Sequence, residues 1–374
     1  MTGDNFVTRR GFLATAGAVT LGAGSNWAVA ADDEAWALPV LGDLHIDRPE
    51  HHDAEWLKRT HPDDVRQVEN YCRVTRDVTP KLLDVVRGRA AGSRLPVPFA
   101  LQLGDLLEGL CGSEELAARQ ADDGLGLVRE AKLPVPFLFC KGNHDIAGPG
   151  AAAVYDKVLV PFLAKQAGGG VRRAAFARRR GGTLVVFYDA YDRDSLDWFE
   201  GLLRDRRPGR LIFVIHPPVV PFNARSTWHV YSSPKQEGQR ERLLNLLGAA
   251  RAVVLCGHLH KYSFLVRRTE KGRFSQLAIS SVATDAAAKP KDLLEGADRY
   301  GPELVKLEPK HSPDTLERRR AVLESERPLV ERFEYADTWG HAVLAVRGDS
   351  VTAEVCRGLG TDRWKTLDLT GPLG

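Results

Sequence analysis

Five short polar motifs hold the residues able to do chemistry. Gly-Asp-Leu-His carries Asp43 and His45, and Gly-Asp-Leu-Leu-Glu carries Asp105. Gly-Asn-His-Asp carries Asn143, His144 and Asp145. Ile-His-Pro-Pro carries His216, and Gly-His-Leu-His carries His258 and His260. Imidazoles, carboxylates and one amide carbonyl form a donor set for Fe, Mn, Zn or Co, and no thiolate is needed. Two neighbouring cations require a bridging carboxylate, and an Asp directly after a strand is short and rigid enough to bridge. Two carboxylates facing two cations leave the centre net positive. Such a centre favours a phosphate ester and lowers the pKa of a bound water. A histidine beside it supplies a proton near neutrality. A lone histidine or a lone Gly-Asp pair is ordinary core or turn; the ordered set of five carries the signal.

Something must bring these motifs to one point. Short runs that are apolar on both faces and bounded by Gly or Pro predict buried strands at 35–41, 97–103, 135–140, 183–188, 211–215 and 252–256. Each motif follows one of these runs. In α/β sheets, ligands bind outside the carboxyl ends of the strands, so five such ends can converge. Val65, Val68, Cys72 and Thr75 repeat at helical spacing within 62–89, where Pro80 kinks or restarts the helix. Ser113 is placed to cap a helix reaching about Lys132. Hairpins are expected to turn at Gly181-Gly182, near Lys271-Gly272 and at Gly348-Asp349. Ser312 with Pro313 is read as opening a charged helix through about Glu324. The simplest parse is one domain over 31–374 with a mostly helical insertion at about 284–338.

The order D-x-H, G-D, G-N-H-D, H, G-H-x-H resembles that of the calcineurin-like metallophosphoesterases, and it spans Asp43 to His260. The resemblance implies a four-layer αββα sandwich and two divalent or trivalent transition-metal ions. It implies hydrolysis of small-molecule phosphate esters by a metal-bridging hydroxide that attacks phosphorus in line. It makes Asp43, His45 and His260 ligands of one metal and Asn143, His216 and His258 ligands of the other, with Asp105 bridging. His144 matches the family's catalytic histidine, and Asp145 would orient it. The purple acid phosphatase branch has Gly where His45 stands and Tyr where Glu108 stands, so that branch is not expected. The D-x-H form is similar to diesterase branches, and a small-molecule phosphodiesterase is favoured over a phosphomonoesterase. A catalytically silent scaffold on the same fold would have eroded ligands, and none is eroded here.

Composition bounds the rest. The chain has 374 residues, 43% hydrophobic and 27% charged, with 52 basic and 49 acidic side chains. A net charge of +3 carries no nucleic-acid footprint, and a nuclease is not expected. The N-terminus reads as an address. Thr8-Arg9-Arg10-Gly11-Phe12-Leu13-Ala14 precedes a weakly apolar run to Trp27, and Ala28-Val29-Ala30 gives a small-x-small cleavage pattern. This resembles a twin-arginine export signal over residues 1–30, with Ala where that pattern usually has Lys. It implies the twin-arginine export machinery as a partner and a periplasmic or secreted mature chain from Ala31. The run is too short and glycine-rich for a stable membrane anchor. Five cysteines do not make a disulfide framework, and Cys140 and Cys256 read as buried thiols. Weaker signals remain. His51, His52 and Asp53 read as a solvated loop, and Arg172, Arg173 and Arg178 to Arg180 as a solvated hairpin face. Lys141 and Lys261 flank metal motifs and are candidates to meet a phosphate. The stretch 221–239, with Trp228, His229 and Tyr231, is long for a connection and suits a lid or pocket wall.

Overall fold

The short apolar runs do form strands. The computed structural model describes residues 35–222, 227–304 and 315–374. Its strands begin with β1 (Trp36–Leu41), β2 (Ala100–Gln102), β3 (Phe137–Phe139), β4 (Phe176–Arg180), β5 (Thr183–Phe187), β6 (Arg210–Val214) and β7 (Val253–Cys256). They continue with β8 (Tyr262–Thr269), β9 (Gly272–Ala278), β10 (Lys291–Glu295), β11 (Val330–Asp337), β12 (Gly340–Arg347), β13 (Ser350–Arg357) and β14 (Arg363–Asp368). The helices are α1 (Ala54–Thr60), α2 (Val65–Asp77), α3 (Thr79–Ala91), α4 (Glu114–Glu130), α5 (Ala151–Val154), α6 (Val160–Gln166), α7 (Ser195–Arg206), α8 (Glu237–Ala249) and α9 (Leu316–Glu326).

Two sheets result. The first runs β14-β13-β12-β1-β2-β3 and the second β10-β11-β8-β9-β7-β6-β5-β4. Strands β1, β2 and β3 are parallel, as are β5, β6, β7 and β9. Both faces of the central strands are buried, so apolar residues fill both parities. Along β5, Val185 and Phe187 join Leu38, Val40, Leu101 and Leu138 in a shared core. Leu184 and Val186 instead pack with Phe199 of α7 and with Leu243 and Leu247 of α8. Leu82 and Val86 of α3 and Ala121 and Leu125 of α4 pack against the first sheet. Helix, sheet, sheet, helix is the expected αββα sandwich.

Local signals explain most boundaries. The Ser113 side chain accepts a hydrogen bond from the Leu116 N–H at 3.2 Å and starts α4. Pro80 sits in the first turn of α3, and the break at Val78 divides the expected helical stretch in two. Arg180 pairs with Thr183, Thr269 with Gly272 and Arg347 with Ser350, closing the three hairpins where they were expected. The 284–338 segment differs from the mostly helical expectation. Beside α9 it contains β10 and β11, which extend the second sheet through pairing of β11 with β8. A register shift between Val330 and Arg332 breaks the alternation that would have announced β11. Thr315, not Ser312, caps α9, accepting from the Arg318 N–H at 3.3 Å. Ser312 and Pro313 lie outside the described residues, as does the stretch 1–30 read as an export signal. All five cysteines are unpaired, and Cys140 and Cys256 are buried. Among the described residues no helix is long and apolar enough to cross a membrane.

Candidate metal centre

Every motif lies just past the carboxyl end of a parallel strand: Asp43 and His45 after β1, Asp105 after β2, Asn143 after β3, His216 after β6, His258 and His260 after β7. Four of these residues leave their strands in the left-handed region, with φ of 45° at His45, 53° at Asp105, 72° at His258 and 51° at His260. A non-glycine residue held there costs on the order of 1–3 kcal/mol and persists where the surroundings impose it. The strain aims four side chains at one place. Gly142 permits a close approach, since an added methyl would collide with the backbone nitrogen and carboxylate of Asp105.

The side chains gather in two groups that share a carboxylate. Donor atoms of Asp43, His45, Asp105 and His260 lie within 4.8 Å of one another, as do those of Asp105, His216 and His258. Asn143 joins the second group, its Oδ1 3.2 Å from His216 Nε2. The proton positions are informative. His216 Nδ1 donates to the Leu103 carbonyl at 2.8 Å, which leaves Nε2 as a lone pair in the neutral ring. That nitrogen faces Asp105 Oδ2 at 2.9 Å and the Asn143 carbonyl oxygen. His45 Nδ1 donates to Glu108 Oε2 at 2.6 Å, and its Nε2 lies 3.0 Å from Nε2 of His260. Two imidazole nitrogens meet at one place, and an imidazole nitrogen, a carboxylate and an amide oxygen crowd at the other, a donor set suited to cations. The residues present fit a metal pair.

Burial and neighbouring charges shift these groups in opposite directions. Burial raises the Asp43 carboxyl, whereas Asp105 is held well below the usual range because the His216 and His144 charges outweigh its burial. Burial and the neighbouring His216 bring His258 down to about 3, and burial also keeps His260 neutral. Neutral imidazole is the ligating form. His216 and His144 go the other way, each to about 9, since Asp105 beside the first and Glu108 beside the second overcome desolvation. Buried carboxylates here draw positive charge wherever they can find it.

His144 stands at the rim, its side chain 19% exposed. Its Nδ1 lies 2.8 Å from the Glu108 carbonyl oxygen and 3.3 Å from the Glu108 carboxylate. Asp145 does not hold that ring. It accepts from the N–H groups of Asp105 (3.1 Å), Leu107 (2.9 Å) and Gly142 (2.8 Å), tying the loops after β2 and β3 together. Glu108 is therefore a residue whose part the motifs do not announce. Fully buried, it touches both His45 and His144 and accepts from Gln67. Its one signal is a charged residue three positions after Asp105 in an otherwise apolar turn.

The weaker signals resolve in part. His51 and His52 are no solvated loop. His52 reaches the buried Asp47 at 2.8 Å, and His51 Nε2 reaches Asp123 at 2.9 Å. Asp53 caps α1. Lys141 pairs with Asp189 at 2.5 Å and Lys261 with Asp337 at 2.6 Å, so each lysine has a carboxylate partner. Trp228 and Tyr231 line a cavity of about 590 Å³ that reaches Asn143 and His258. Tyr191, which follows β5, lines it too and carried no sequence signal.

In sequence the chain matches no family profile and no curated protein. In structure it is similar to a purple acid phosphatase from yellow lupin (Lupinus luteus) seeds, with a TM-score of 0.51 and 12% identity. That match covers 91% of this chain and 54% of the lupin protein, so the chain spans about half of it. It is similar also to a dimetal phosphatase from Danio rerio, with a TM-score of 0.50 and 12% identity over 91% of this chain and 99% of that one. At such identities the likeness is one of fold, and the shared fold is the αββα sandwich.

Proposed function

We propose that the chain is an exported binuclear-metal hydrolase of small-molecule phosphate esters. The observation that carries this reading is the buried Asp105 carboxylate, common to two groups of metal-ligand side chains, with His144 at the rim of the same centre. Asp43, His45 and His260 would hold one cation and Asn143, His216 and His258 the other, with Asp105 shared by both sets. When bound, the pair supplies Lewis acidity for the phosphoryl oxygens and lowers the pKa of a coordinated water. The protein does the rest. Glu108 and the Leu103 carbonyl fix the tautomers of His45 and His216, so that each presents a lone pair inward. His144, with Nδ1 held by the Glu108 carbonyl, carries its other proton at Nε2 and delivers it to the departing alkoxide. The Glu108 carbonyl and carboxylate, both facing the His144 ring, favour its protonated form.

Diesters are the favoured class. A diester places groups on both sides of phosphorus, and the cavity beside Asn143 and His258 has room for the second. The ratio of kcat/KM for bis-p-nitrophenyl phosphate to that for p-nitrophenyl phosphate, at equal metal loading, tests this. A tenfold preference for the monoester, about 1.4 kcal/mol of differential transition-state binding, would reverse it. Export rests on the Arg9-Arg10 pair, the apolar run and the Ala28-Val29-Ala30 site in the right order. N-terminal sequencing of the protein recovered outside the cytoplasm should begin near Ala31. Active cytoplasmic enzyme that retains Met1 would overturn the export reading.

A further inference from the structure

Large apolar side chains are almost all covered. Among the described residues three are exposed: Tyr191 at 37%, Trp228 at 39% and Leu293. Single exposed apolar residues are normal on a protein surface. Here Tyr191 and Trp228 line one and the same cavity, and that cavity opens directly off Asn143 and His258. The Trp228 indole lies nearly parallel to the His258 imidazole, ring centres 5.6 Å apart and planes inclined by 19°. One wall of the cavity is thus set by a residue of the metal centre itself. Ser232, Ser233 and Gln236 add hydrogen-bonding groups. At about 590 Å³ the space is far larger than a phosphate needs and falls in the range that encloses a whole small molecule.

We infer that this cleft binds a planar aromatic substituent carried on the phosphate, an inference that rests on the phosphoesterase reading above. An alkyl or sugar group would gain contact area on Tyr191 and Trp228 but no stacking. A planar ring gains both, because every aromatic ring offers a π-face to an aromatic side chain. The ligand chemistry is a flat ring held a few bonds from phosphorus, whether a nucleobase or a simple aryl group.

The test is equilibrium binding to the full chain after chelator treatment, by calorimetry, with two pairs of probes. One pair is adenosine 5′-monophosphate against ribose 5-phosphate; the other is phenyl phosphate against ethyl phosphate. The aromatic member should bind about tenfold or more tightly in at least one pair, as stacking of one ring allows. A difference confined to the adenosine pair identifies a nucleobase as the group, and one confined to the phenyl pair an aryl group. In Trp228→Leu and Tyr191→Leu that ratio should fall to within about twofold of unity, on the scale of a lost stack. The ratio is the readout because Trp228 also packs on His258. Equal binding within both pairs in the wild type, or an unchanged ratio in both variants, overturns the inference. Hydrolysis of p-nitrophenyl phosphate by the metal-reloaded protein is measured alongside. Turnover without any aromatic preference removes this inference alone. No turnover with any metal removes the phosphoesterase reading and this inference with it.

Discussion

Asp105 and His144 sit 39 residues apart, yet the Asp105 carboxylate accepts the His144 backbone N–H at 2.8 Å. Their roles still separate cleanly by experiment. Asp105→Asn removes the charge shared by both donor groups, so metal content and activity should fall together. His144→Ala removes a side chain that the proposed roles place outside both ligand sets. It should keep the metal and lose turnover by ~10²–10⁴-fold, the usual worth of a general acid. Elemental analysis beside kinetics reads both, and equal metal loss in the two variants would make His144 a ligand. At this scale the sequence was most legible where the chemistry needs a rare residue type at fixed spacing, as at His258 and His260. It was least legible where a common residue gains its meaning from burial. Glu108 is such a case, since its one signal, a charge in an otherwise apolar turn, does not say that it is buried against two histidines. Asp145 is another: its place in the Gly-Asn-His-Asp motif marks it, but its hydrogen bonds run to three backbone N–H groups and not to the neighbouring ring.

Elements bring these side chains together through tight turns at strand ends. The turn after β3 has no room to spare at Gly142, whose absent side chain leaves space for Asp105. Gly142→Ala should therefore fold, because the sheet core is untouched, but bind metal poorly. Circular dichroism should match the wild type while bound metal falls at least tenfold; full metal content in Gly142→Ala would contradict this account of the turn. Strands such as β1, β5 and β7 were legible because both faces are buried and the apolar run is unbroken. Strand β11 was not, because the irregularity near Val330 sets its alternation out of step and charged Glu331, Arg332 and Glu334 interrupt it. Glu334 is buried all the same, since Lys365 at 2.7 Å, Arg332 at 3.0 Å and the Tyr262 hydroxyl at 3.0 Å meet its carboxylate. The pairings with Lys365 and Tyr262 are made between distant segments and leave no local trace.

At the scale of the whole molecule, stability and function draw on different histidines. His341, buried in β12 far along the chain from the metal motifs, is brought down to about 4 by burial and by the nearby Arg89 charge. Its unfolded value is about 6.5. Between those values the unfolded chain takes up a proton that the folded chain refuses, so stability falls as pH drops from about 6.5 to about 4. The loss from this group is on the order of 3 kcal/mol and does not grow at lower pH. Urea denaturation at pH 7.5 and pH 4.5 should show a smaller drop for His341→Phe than for the wild type; parallel drops would contradict this origin. The two-sheet sandwich was legible only through the family resemblance that the motif order carries; the residues alone indicated buried strands with the motifs at their carboxyl ends. The central claim is that one shared carboxylate organises two cations for phosphate-ester hydrolysis. Its most direct test is the return of Mn, Fe, Zn or Co to chelator-stripped protein while hydrolysis of bis-p-nitrophenyl phosphate and p-nitrophenyl phosphate is followed. The account predicts that stripped protein is inactive and that activity with at least one metal rises to a plateau at two equivalents per chain. Hydrolysis that survives stripping, or protein that takes up two equivalents and hydrolyses neither ester, would contradict it.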